Sequence, residues 1–403
     1  MKRTLLALTF GVASLAPLYS QVPGPITCNL NSPPPPAMRS NGASELVRDV
    51  VMTCSNPGPS ASVIVNIQIF LNVDLTSRIM NPVTKLTEGL LLIDDPLPGV
   101  ANTSNGFPYF GQVLGTPGVA AGAPGSGNVY QATVFADNTI VWTGVPYVTG
   151  GTRTFRMTNI RANPSLLGGA GPILADIAMS GPVAVVITNP VTTVAQATDG
   201  LKFTSSSPSH GKLDLRFEEL FSTAFKKRIE NTPGGPLTAI RQDNPGVDFC
   251  TESGFTPEFS SVTPNDIGSA TTGTRLLAEF SKIPPPVFEL VVPNEVTSSS
   301  GNLVAHRVLP PLGADFASGT VATSSGTSLV FVSPARTAEL LYEVAAAAPF
   351  QGRNGCGTID AFDIQLSGIF PVSLKPVKVK GRFAPVDGTK IASPTAPEPR
   401  FIP

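Results

Sequence analysis

Residues 63–72, VIVNIQIFLN, set the first limit on the fold. Val63, Val65, Ile67, Ile69 and Leu71 fall on every second position while Asn66, Gln68 and Asn72 fall between them, so an extended chain has one apolar face and one largely polar face. That period specifies a half-buried β-strand. The preceding run repeats it with Leu46, Val50, Met52 and Cys54, and the intervening Asn56-Pro57-Gly58-Pro59-Ser60 continues neither strand, because proline lacks the N–H and glycine relaxes φ. The two runs are expected to pair antiparallel.

Composition extends this reading to the whole chain. Proline (41) and glycine (38) make up about a fifth of the 403 residues without a collagen period, which suits many short strands joined by turns. Hydrophobic residues at 41% supply real cores, and the length suits two domains. The expected fold class is all-β, with two tandem immunoglobulin-like β-sandwich domains. A net charge of −1 gives no drive toward nucleic acid or anionic lipid, so neither is an expected partner.

The first twenty residues run from Lys2-Arg3 through an apolar stretch to Tyr19-Ser20, the order of an export signal, with cleavage expected after Ser20. The apolar run is shorter than the roughly 20 residues a spanning helix needs, so no transmembrane anchor is expected. Cys28, Cys54, Cys250 and Cys356 remain after that cut. In an oxidising compartment four cysteines allow three pairings, and Cys28–Cys54 with Cys250–Cys356 keeps each bridge inside one domain. No pair has the close spacing common in metal ligation, so neither metal nor cofactor is expected.

Taken in order, 1–20 read as signal peptide and 21–44 as a proline-rich extended arm held by Cys28. Residues 45–203 form the first sandwich, 204–209 a serine-rich linker, 210–387 the second sandwich and 388–403 a loose tail. Strands are expected at 87–94, 129–136, 139–145, 152–160, 173–179 and 183–188 in the first domain. In the second they fall at 212–217, 247–251, 275–281, 287–292, 302–308, 328–332, 337–346, 361–369 and 372–383. Glycine-rich 111–128 reads as a mobile loop. The single helical pattern is Glu218–Ile229, where Leu220, Phe221, Ala224 and Phe225 recur at spacings of three and four. The basic trio Lys226-Lys227-Arg228 then reads as its solvated end.

The segments SELVRDVVMTCSNPGPSASVIVNIQIFLNVDLTSRI, TEGLLLIDDP and GTRTFRMTNIRAN, with LRFEELFSTAFKKR, FCTESGF and LLYEVAAAAPF further on, resemble a family of exported bacterial proteins with two β-rich domains. The strand–turn–strand element is more loosely similar to immunoglobulin-like repeat modules of bacterial surface proteins. These resemblances imply an address and a fold, and no chemistry.

Nor do the residues supply a catalytic constellation. His210 and His306 are the only imidazoles, and no nucleophile elbow, zinc-binding helix or calcium loop occurs. Asp94-Asp95 suit a turn and Glu218-Glu219 a helix start, while Asp49, Asp74 and Asp266 are scattered. Trp142 reads as core. Tyr109, beside the glycine-rich loop, is the first candidate to face a glycan ligand. The chain is therefore expected to be an exported, non-catalytic structural or interaction protein, located extracellularly, at the cell surface or in the periplasm. Its expected partners are cell-surface components or further copies of itself, assembled by addition of arm 22–36 or tail 388–403 to a sheet edge. A glycan-binding module and a carboxylate-based hydrolase are the alternatives.

Overall fold

The computed structural model describes residues 24–31, 34–42, 44–77, 79–81, 83–94, 115–206, 211–226, 273–285, 287–310, 320–322, 324–347, 358–367 and 377–384. These residues are almost entirely β. In the first half the strands are β1 (Ile26–Asn31), β2 (Ala37–Arg39), β3 (Glu45–Leu46), β4 (Val50–Asn56), β5 (Ser62–Leu71), β6 (Ile79–Asn81) and β7 (Leu86–Ile93). They continue with β8 (Val129–Ala136), β9 (Thr139–Val148), β10 (Gly151–Thr158), β11 (Arg161–Ala162), β12 (Gly171–Ser180), β13 (Val185–Thr188) and β14 (Val191–Thr198). The second half contains β15 (Leu201–Ser205), β16 (Lys212–Glu219), β17 (Arg275–Ser281), β18 (Glu289–Pro293), β19 (Glu295–Thr297) and β20 (Leu303–Leu309). Its remaining strands are β21 (Thr320–Val321), β22 (Thr327–Phe331), β23 (Ala338–Ala346), β24 (Ala361–Ser367) and β25 (Lys378–Phe383).

The first half is one long sheet, ordered β13-β1-β4-β10-β7-β8-β9-β5-β12-β14-β2, that folds over a single core containing Met52, Ile67, Ile69, Trp142, Phe155 and Ile177. Trp142 is fully buried there. The expected β4–β5 hairpin does not form. β4 lies between β1 and β10 and β5 between β9 and β12, so their apolar faces line the same core from separate places in the sheet. Asn56 redirects the chain: its Oδ1 accepts the Gly58 N–H at 2.8 Å and its amide reaches Gly24 O, so the Asn-Pro-Gly-Pro segment leads away instead of reversing tightly.

Two further expectations are corrected here. Residues 26–31 and 37–39, expected in an extended arm held by Cys28, are strands of the first sheet. Ile26, Cys28 and Leu30 alternate inward, and β1 pairs antiparallel with β4 and parallel with β13, fixed to β4 by the Cys28–Cys54 disulfide. β2 pairs parallel with β14, so the arm's strands are added within the same chain. Residues 115–128 are held, not mobile: Gly115 N–H donates to Val129 O and Gly118 N–H to Gly144 O. Gly144, at φ +69°, lets that strand approach, since a Cβ there would lie 2.3 Å from Gly118 N.

The second half packs a five-stranded sheet, β15-β16-β24-β18-β22, against a six-stranded one, β19-β20-β23-β17-β25 with β21 beside β20. Leu215, Phe217, Phe280, Leu340, Tyr342, Phe362 and Ile364 fill the space between them. Thr204 and Ser205, expected in a linker, are strand residues facing Arg216 and Leu215 in the β15–β16 hairpin. The chain passes from one sheet system to the other earlier, at Asp199-Gly200. The expected helix is also absent over its described residues: Glu218 and Glu219 are the last residues of β16, because β15 and β24 hydrogen-bond it on both sides. Residues 220–226 follow as turns. Cys250, Cys356, Tyr109, His210, Asp95, Asp266 and the expected signal peptide and tail lie outside the described residues.

Candidate functional site

Two features stand out among the described residues: a buried ion cluster where the halves meet, and an apolar sheet margin left in solvent. The cluster begins at β2. Pairing with β14 places Arg39 over Gly200, where the chain crosses, and a Cβ at Gly200 would lie 2.9 Å from Arg39 Cγ and 3.2 Å from Phe383. The guanidinium donates from Nε to Glu45 Oε1 at 2.7 Å and from Nη1 to Thr274 Oγ1 at 2.8 Å. It also stands over the Phe383 ring. Lys226 Nζ lies 2.8 Å from Glu45 Oε2, so one carboxylate from the first half holds a cation on each oxygen. Lys226 is thus buried, not the solvated end of a helix. Burial alone would raise the Glu45 pKa, but Arg39 and Lys226 overcome it and hold the group down at about 2.

Glu219 completes the junction on the other side. Its parity in β16 matches Leu213, Leu215 and Phe217, so its side chain turns inward with them. Oε1 accepts the Phe225 N–H at 2.6 Å and Oε2 the Asp360 N–H at 2.8 Å. Burial pushes its pKa up to about 8 against those two donors, and the neighbouring Asp360 charge adds to the rise. Asp360 is itself engaged by Ser300 N at 3.0 Å and Ser300 Oγ at 3.0 Å.

Four other sequence candidates have structural partners. Asp94 adopts a positive φ at the end of β7, accepts the Thr154 N–H and pairs with Arg153 at 2.9 Å. Asp49 accepts from Arg156 Nε at 2.7 Å, and Glu218 lies between Lys202 and Arg216. His306 is half-buried on β20 with Nδ1 3.8 Å from Glu295 Oε2. Among the described residues no group of three or more metal-binding side chains converges, and no helix is long and apolar enough to cross a membrane.

The apolar margin is formed by β18 and β22. Their register sets Glu289 opposite Phe331 and Val291 opposite Leu329, on the face turned away from the core. Phe331 is 73% exposed, Leu329 47% and Phe288, just before β18, 71%. The Arg336 guanidinium lies 5.9 Å from the Phe288 ring centroid and covers part of it.

Neither family models nor curated proteins gave a match to this chain. Among solved structures, the C-terminal domain of the Streptococcus agalactiae AgI/II polypeptide BspA aligns over 92% of this chain and 98% of its own, with 9% identity and a TM-score of 0.27. The C-terminal domain of the Streptococcus pyogenes antigen I/II-family protein AspA aligns over 92% and 97%, with 9% identity and a TM-score of 0.27. At those TM-scores neither likeness bears on the fold or role of this chain.

Nothing local in the sequence links Arg39 and Glu45 to Lys226, which lies far along the chain and reads there only as part of a basic trio. For Glu219 a signal was available: the alternation of Leu213, Leu215 and Phe217 extends through it.

Proposed function

We propose that this protein is exported and works outside the cytoplasm as a non-catalytic structural or interaction module, through the outer faces of its sheets. The observation that carries the reading is the exposure of Leu329 and Phe331 on the outer face of a sheet margin, with Phe288 exposed just before β18, where apolar side chains are a cost unless a partner covers them. The Cys28–Cys54 bridge supports the address, because such bonds persist in oxidising compartments. The polar side chains support the non-catalytic part of the reading: Glu45, Asp94, Glu218, Glu219 and Asp360 each hold a strand, a turn or the junction together.

Surface biotinylation of intact cells with fractionation tests the reading. The full-length protein is expected in the labelled or released fraction, with Cys28 and Cys54 blocked to thiol reagents until reduction. Retention in the cytoplasm with both thiols free overturns it.

A further inference from the structure

β22 ends the five-stranded sheet, and among the described residues it pairs with β18 alone, through an unbroken register of five residues. The Asn294 N–H donates to Gly326 O and the Val332 N–H to Phe288 O, which fixes the phase of that ladder. Even-numbered residues from 326 to 332 direct their main chain toward β18, so Thr327, Leu329 and Phe331 direct theirs to the open side. The same three residues carry their side chains on the outer face.

Other sheet margins among the described residues carry protection. β25 carries Lys378, Lys380 and Arg382, β19 and β2 are three residues long, and Pro182 and Pro190 flank β13. β15 lies against β25, with Phe203 packed on Gly381. β22, with the sequence TSLVF, has no charge, no proline and no bulge, the devices that normally keep an edge from pairing.

We propose, resting on the interaction reading above, that β22 is a self-association edge: two copies pair antiparallel about a two-fold axis at Leu329. Self-pairing fits this strand because the axis sets Thr327 opposite Phe331 of the second copy, brings no like charges together and answers each outward N–H with a C=O. Such an isologous contact closes at two copies and joins the five-stranded sheets into one. The Leu329 pair exchanges both hydrogen bonds, so its Cα atoms lie about 5.5 Å apart, within the span of a disulfide.

Size-exclusion chromatography with light scattering on full-length protein over a wide concentration range is the test, with Leu329→Lys and Leu329→Cys as variants and Val186→Cys on exposed β13 as control. The wild type is expected to be a dimer. Leu329→Lys, which sets two ammonium groups together at the axis without touching the core, is expected to weaken the dimer at least about tenfold. Leu329→Cys is expected to form a covalent dimer on mild oxidation, and Val186→Cys is not. A wild type that stays monomeric overturns the inference, as does a dimer that survives Leu329→Lys. A Leu329→Cys protein that fails to cross-link overturns the register. None of these results touches the surface-labelling outcome, so the wider reading stands or falls separately.

Discussion

Glu45 is a single carboxylate shared by two buried cations from opposite halves of the molecule. Replacing it with glutamine leaves Arg39 and Lys226 buried without their counter-charge, and the expected loss is about 3–5 kcal/mol, read as a lower urea midpoint. Glu45 and Glu219 also act in opposite directions with pH. Glu45 has its folded pKa depressed to about 2, so its contribution is present above the unfolded value near 4.5 and is lost as pH falls from there toward 2. Glu219 has its folded pKa raised to about 8, so its contribution is full below about 4.5 and is lost as pH rises from there to 8. Urea midpoints measured between pH 5 and 8 are expected to fall in the wild type and to fall less in Glu219→Gln; equal slopes would contradict the raised value. At Gly200, where a Cβ would press on Arg39, Ala224 and Phe383, Gly200→Val is expected to cost about 1–3 kcal/mol through overpacking.

At the scale of elements, β1 depends most on its covalent tie. It begins the described chain and is held to β4 by a bridge closing a sequence separation of 26, worth about 3 kcal/mol on the chain-entropy estimate. The Cys28→Ser/Cys54→Ser double variant is expected to lose about that much stability, with amide exchange accelerating first in residues 26–31; protection there equal to the wild type would contradict this. Local alternation made most strands legible. Residues 129–136 and 275–281 match β8 and β17 as expected, because inward positions there are apolar and turn residues bound them. β1, β2 and β14 are less legible, since flanking prolines leave the first two short and Thr192, Thr193, Gln196 and Thr198 dilute the third. Partners were less legible than strands. A period of two tells which face is buried and not which neighbour lies alongside, so β4 and β5 looked like a hairpin. For Glu218–Ile229, a helical spacing of Leu220, Phe221, Ala224 and Phe225 competed with a strand period ending at Glu219, and pairing of β16 on both sides decided for the strand.

For the whole molecule, two large cores meet across a junction whose polar groups satisfy one another, and Phe288 and Phe331 stand exposed at one margin of the second half. Breaking that junction leaves charges buried, so the halves are expected to melt together despite their separate hydrophobic cores. The sequence alone could not supply this coupling, because Arg39, Glu45, Lys226 and Thr274 become neighbours only after both halves fold. Differential scanning calorimetry of the full-length oxidised protein measures it most directly. One transition with calorimetric and van't Hoff enthalpies equal is expected for the wild type, and two separated transitions for Glu45→Gln. Two resolved transitions in the wild type itself would contradict the coupling of the halves through this cluster.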